Sequence, residues 1–236
     1  MAKRPVFMPE LNNMKAWNIE NIEFQYYPGF SVSQKQKSIE SLHKEYLKKY
    51  PKGKILEVSS YSTTPLGVQL SAFNLMVSNN GKSYSVESIF QSSKVFEKGG
   101  PYKDILYMTS REAKRDSRIR SSGNVIGFKL KDETFPIEPK TYFYNWIYLN
   151  VLKFHPEFWE QILSYTAFTD MAFNPQKQYN CQAESLAIFV GLMKKGIFVE
   201  AIDNRENFLH YVYHQSNNIH EAKKTELEET SLFDGY

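Results

Sequence analysis

The side chains that could do chemistry are few and spaced at helical intervals. Glu87, Gln91 and Lys94 fall at i, i+4 and i+7, placing an acid, an amide and a cation on one stripe whose back is Val86, Ile89 and Phe90. Such a stripe can line a cleft, and an ordinary solvated helix face has the same pattern. Lys35 and Lys37 stand in the first turn of a capped helix behind an aromatic turn; a lysine held away from water loses its proton and becomes a nucleophile, whereas an exposed one stays charged. Arg111, Lys114, Arg115 and Arg118 share roughly one face of a later helix, a basic surface able to meet phosphates.

Other chemistry is absent from the pattern. Glycine-rich phosphate loops, His-Glu-x-x-His and the Gly-x-Ser-x-Gly elbow do not occur. His43, His155, His210, His214 and His220 are scattered, and the single Cys181 excludes a disulfide framework or a Cys-rich zinc site, so neither metal nor cofactor is expected. Cys181 itself reads as a small packing residue.

The elements that must position these groups follow from periodicity and punctuation. Residues 1–30 alternate apolar and polar positions and break at Pro28-Gly29, as a strand and turn do. Ser33 with Gln36 forms a capping box for a helix to Tyr50. The segment 54–78 predicts paired strands around Thr64-Pro65-Leu66-Gly67, with Asn79-Asn80-Gly81 as a turn; a helix follows over 85–96 and another opens at Thr109 with Glu112. Thr141 to Phe154 is aromatic and aliphatic on every side and reads as the central buried helix. A short helix at 156–164 precedes a non-periodic, functional-looking loop over 166–179 that holds Asp170, Asn174 and Pro175. Asn180 caps a helix over 181–195 stopped by Gly196, a last helix is expected within 203–217, and the chain beyond is polar and solvated.

The 236 residues carry 29 Lys and Arg against 26 Asp and Glu, a net charge of +3, so any nucleic-acid contact must be local. The chain is 42% hydrophobic and 15% aromatic, with no apolar run near the ~18 residues of a membrane span. Met1 to Pro9 does not read as a secretion signal. One compact, cytoplasmic domain is expected, without repeats or linkers.

The motifs also resemble a known family. Ser85-Val-Glu-Ser-Ile-Phe-Gln-Ser-Ser-Lys-Val-Phe resembles the Glu-x-x-Phe-Gln-x-x-Lys-Phe helix of NADAR proteins, Leu70-Ser-Ala-Phe-Asn the Leu-Ser-Asn-Phe segment before it, and Ser110-Arg-Glu-Ala-Lys-Arg a later helix. The blocks Gly29 to Ile39, Phe96-Glu-Lys-Gly-Gly-Pro-Tyr, Glu138 to Tyr144, Phe168 to Pro175 and Asn180-Cys-Gln-Ala are similar to NADAR antitoxins paired with guanine-modifying DarT toxins, over roughly residues 1–200. Ser88 stands where a His often follows the Glu, and Phe168-Thr-Asp170 replaces a Trp-Gly-Asp-Gly-Gly loop.

The resemblance implies a small-sheet α+β domain over 1–200, with 201–236 as a C-terminal helix and tail. It implies a metal-free glycohydrolase that removes ADP-ribose from guanine in DNA, single-stranded or flipped out, and so opposes a DarT-type toxin. Its site would use Glu87 as acid and base, a lysine forming a Schiff base (Lys35, with Lys37 and Lys94 as rivals) and Asp170 on the ribose hydroxyls. Ser33, Gln34, Asn74, Gln91, Lys94 and Asn180 would contact ADP-ribose, and Arg111, Lys114, Arg115 and Arg118 the DNA. Alternatives are an N-glycosidase on a small ribosylated metabolite and a non-catalytic module that binds ADP-ribose or the toxin.

Overall fold

A computed structural model describes residues 1–12, 15–174 and 177–214. In chain order the described elements are β1 (Ala2–Pro9), β2 (Trp17–Phe24), α1 (Val32–Lys49), β3 (Ile55–Glu57), α2 (Pro65–Gln69), β4 (Met76–Asn79), β5 (Lys82–Ser85), α3 (Val86–Ser92), β6 (Lys94–Phe96), α4 (Ser110–Arg115), α5 (Arg118–Ser121), β7 (Val125–Leu130), β8 (Glu133–Phe135), α6 (Tyr142–Leu152), α7 (Trp159–Leu163), β9 (Ala167–Thr169), α8 (Gln182–Lys194), α9 (Phe198–Ala201) and α10 (Arg205–Tyr213). This is a helix-rich α+β fold with small sheets: a four-stranded sheet in the order β2-β1-β9-β3, the β4-β5 hairpin and the three-stranded β6-β7-β8. None of the described helices is long and apolar enough to cross a membrane.

The core follows from the two helices that lack a polar face. On α6, Tyr142, Phe143, Tyr144, Ile147, Tyr148 and Leu149 are buried, and on α8 so are Leu186, Ile188, Phe189, Val190 and Leu192. Each large side chain removed from water stabilises the fold by roughly 1.5–3 kcal/mol. Gly191 lets α8 lie against the chain at Ala16, because a Cβ there would collide with the Ala16 carbonyl.

One buried polar knot joins α6, α8 and α10. The Thr141 hydroxyl donates to Glu184 Oε1 at 2.6 Å, and Asn145 Nδ2 donates to the same oxygen at 2.9 Å and to Tyr213 Oη at 2.8 Å. Thr141 takes a left-handed φ of 69°, unusual for a β-branched residue, at the start of α6. Burial pushes the Glu184 carboxyl from its ordinary 4.5 up to about 7. Between those values the unfolded chain has lost a proton that the folded chain keeps, so this contribution to stability falls as pH rises through the window. The urea midpoint is expected to be higher near pH ~5 than near pH ~8, with the difference reduced in Glu184→Gln; an equal slope in that variant counts against the assignment.

Several expected boundaries shift for local reasons. The 54–78 segment is not a strand pair: Pro65 occupies the first turn of α2, whose cap Thr64 accepts from Gly67 N–H, and Ile55–Glu57 pairs instead with β9, in parallel. The hairpin lies one step later, at β4-β5. Ser31 rather than Ser33 caps α1, accepting from Gln34 N–H at 3.3 Å. The helix over 85–96 ends at Ser92, and Lys94 begins β6, paired with β7. Asn180 does not cap α8; Cys181 occupies that position without a side-chain bond. The 166–179 loop contains β9. Pro175 and the polar tail from 215 lie outside the described residues.

Candidate active site

Three local structures converge on one place. Ser85 caps α3 by accepting from Ser88 N–H at 3.0 Å, while Ser88 Oγ accepts from Ser85 N–H at 3.1 Å, a reciprocal box that explains a serine after the glutamate. The backbone N–H of Glu87 donates to Ala72 O at 2.9 Å, so the start of α3 is fixed to the turn after α2. Ser110 Oγ donates to Phe73 O at 2.9 Å and to Ser85 Oγ at 2.8 Å, tying the first turn of α4 to the same turn. From the third side, β9 delivers Asp170 directly after its last strand residue.

A recess of about 30 Å³, room for about two waters, is lined by Glu87, Lys114, Asp170, Gln178, Asn180 and Gln182 among others. Phe73, Lys114, Ala172 and Gln182 also line a cleft of about 560 Å³, so the recess adjoins the cleft. Gln182 spans the two acids: its Nε2 donates to Asp170 Oδ2 at 3.1 Å, and its Oε1 accepts from Ala72 N–H, on the residue whose carbonyl receives the Glu87 N–H. Glu87 is 1% exposed and accepts from Gln91 Nε2 at 2.9 Å, while Gln91 Oε1 has no partner among the described residues. Burial pushes the Asp170 carboxyl up, with the Gln182 bond and the Lys114 charge opposing it.

The cleft is built for an anion. Its described lining carries Arg111, Lys114, Arg115 and Arg120, three serines and no acid, and none of these cations forms an ion pair among the described residues. Unpaired cations in a concavity of this size suit a diphosphate of nucleotide dimensions. The Lys114 amine lies over the Phe73 ring at 5.1 Å.

The sequence-selected residues divide accordingly. Glu87, Asp170 and Asn180 line the recess, with Gln91 behind Glu87. Lys94 is not on the helical stripe but on β6, over the Phe90 ring at 4.6 Å; burial pushes its amine down to about 8, against the pull of Glu87 and with help from Lys114. Glu87 and Gln91 are buried, so the stripe is not a solvated face. Lys35 is not in the cleft lining; its amine is 3.4 Å from Tyr26 Oη, one turn beyond Val32, which does line the cleft. Lys37 faces a different surface depression, Ser33 and Gln34 form the exposed start of α1, and Asn74 bonds the Val68 carbonyl. Arg111, Lys114 and Arg115 face the cleft, but Arg118 lies on α5 and is clamped by Asp104 and Asp116 at 2.5 and 2.8 Å.

Arg120, Gln182, Ser59 and Ser71 were not singled out from the sequence. Arg120 sits two residues from Arg118, and only the ion pairs of Arg118 separate their roles. Gln182 stood within the Asn180-Cys-Gln-Ala block without a role, and the serines carry no signal that spacing could reveal.

Among curated proteins none matches the chain. A family model described as the DarT1-associated NADAR antitoxin matches residues 2–222, nearly the whole sequence and every element of the site. The chain belongs to the family of DarT1-associated NADAR antitoxins.

Proposed function

We propose that the protein is a cytoplasmic hydrolase that removes ADP-ribose from guanine bases in DNA and thereby counteracts a DarT-type toxin. The observation that carries this reading is the cation-lined cleft, without an acid among its described lining residues, which adjoins a recess lined by Glu87, Asp170 and Lys114 together. The cations take the diphosphate, Asp170 and Asn180 the ribose, and the outer arginines the strand flanking the modified base. Glu87 protonates the departing guanine nitrogen, the part of N-glycoside cleavage that most needs a positioned acid.

We assign the covalent role to Lys114 instead of Lys35, a reading supported by Lys114 lining both the cleft and the recess while Lys35 is not in either lining. The neutral amine adds to the sugar C1 as the C1–N bond breaks with its electron pair passing to the guanine nitrogen, which takes the Glu87 proton. The amine's nitrogen then opens the ring: the C1–O4′ bond breaks, O4′ takes a proton from that nitrogen and the iminium forms. Water then hydrolyses the ring-opened iminium, giving ADP-ribose its C1 oxygen and returning the free amine.

The test is release of ADP-ribose from a single-stranded oligonucleotide carrying ADP-ribosyl-guanine, beside a thymine-linked control and a free ribosylated nucleoside. Release from guanine in the oligonucleotide alone is the expected result. Equal or faster release from the nucleoside would favour a metabolite N-glycosidase, and tight binding without release a module that neutralises by occupation.

A further inference from the structure

Beneath Asp170 lies a second carboxyl that the proposed chemistry does not use. Glu57 ends β3 opposite Thr169 in the parallel pair with β9 and is 2% exposed. Its Oε2 accepts from the Thr169 hydroxyl at 2.6 Å, and its Oε1 from Met171 N–H at 3.0 Å and the Ser59 hydroxyl at 2.7 Å. Glu57 therefore grips the residues on both sides of Asp170, and through Ser59 it reaches the cleft wall. We propose that Glu57 is the positioning residue of Asp170: by accepting from Thr169 and Met171 it fixes the backbone that carries Asp170 into the recess.

The surroundings leave Glu57 held by hydrogen-bond donors and not by a cation. No lysine or arginine hydrogen-bonds Glu57 among the described residues, and the ionisable groups that face it are Asp170 and, through Thr169, His43 of α1. Burial holds His43 down to about 4, so its ring is neutral, and an Nε2–H donating to Thr169 Oγ1 at 2.8 Å leaves the Thr169 proton directed at Glu57. Burial, with the Asp170 charge beside it, pushes Glu57 up to about 8. The Asp170 and Glu57 charges are therefore coupled, and Asp170 has the Lys114 charge on its side.

The proposal rests on Asp170 being a site acid, and its test has one arm that needs no substrate. In protein labelled with ¹³C at the carboxyls, the Glu57 titration midpoint is expected to fall by about one pH unit or more in Asp170→Asn. In the second arm, Glu57→Gln, which keeps an acceptor oxygen for these donors, retains kcat on the modified oligonucleotide within about threefold at neutral pH. Glu57→Ala, with Asp170 unmoored, loses about tenfold or more in kcat at little change in KM. A Glu57 midpoint unmoved by Asp170→Asn, or a folded Glu57→Ala protein that keeps the wild-type kcat, would overturn the proposal. A wild type without activity would sink the hydrolase reading while the labelled titration still decides the pair, and a Glu57→Ala protein that fails to fold leaves both other readouts intact.

Discussion

Glu87→Gln is expected to lower kcat for ADP-ribose release by about 10²–10⁴-fold while ADP-ribose affinity stays within about threefold. The substitution keeps shape and hydrogen bonding: the replacement amide can still accept from Gln91 Nε2, which Glu87 Oε1 now does at 2.9 Å, and the backbone bond to Ala72 O is untouched. What disappears is the proton. Guanine leaving as an anion raises the barrier, whereas ground-state binding depends on the cleft cations, of which Arg111, Arg115 and Arg120 are not in the described lining of the recess that Glu87 shares with Lys114. Single-turnover kinetics beside calorimetric titration with ADP-ribose separate the two. A variant with kcat within tenfold of wild type would remove Glu87 from the acid role, and a variant that lost affinity equally would make it a binding residue.

The two parts of this site differed in how far the sequence revealed them. Glu87 and Gln91 were legible from their i, i+4 spacing, but whether that stripe met water or protein depended on the turn at Ala72, which comes from another element. Lys94 was misplaced by the same rule, since the helix ends before it and a strand partner 34 positions later, Phe128, claims it. The all-apolar helices were legible because a segment without a polar face has nowhere to lie except the core. The β3-β9 pair was not, because two three-residue strands more than a hundred positions apart carry no local signal that they are partners. That pairing is what sets Asp170 above Glu57. The basic cluster was legible as a charge pattern, but electrostatic neighbours decided its function: acids neutralise Arg118, and Arg120 faces the cleft unpaired.

Lys114 is where the covalent hypothesis is most exposed to test. Reduction with borohydride during turnover converts a ring-opened iminium into a stable secondary amine, so the wild type is expected to acquire one ADP-ribose mass on Lys114, found by peptide mapping. Lys114→Met is expected to form no adduct and to lose about 10²-fold or more in kcat. Lys35→Ala should still form the adduct, because its amine is engaged with Tyr26 outside the cleft lining. Lys94→Met separates an electrostatic role from a covalent one: its amine is coupled to both Glu87 and Lys114, so its loss should shift the pH profile while the adduct persists. An adduct mapped to Lys35 or Lys94 would transfer the nucleophile to that residue and leave Lys114 as a diphosphate ligand. No adduct on any lysine, with turnover intact, would mean direct attack by water. The recess, with room for about two waters between Glu87 and Asp170, could supply the attacking molecule, and the pair would then divide the work as acid and base.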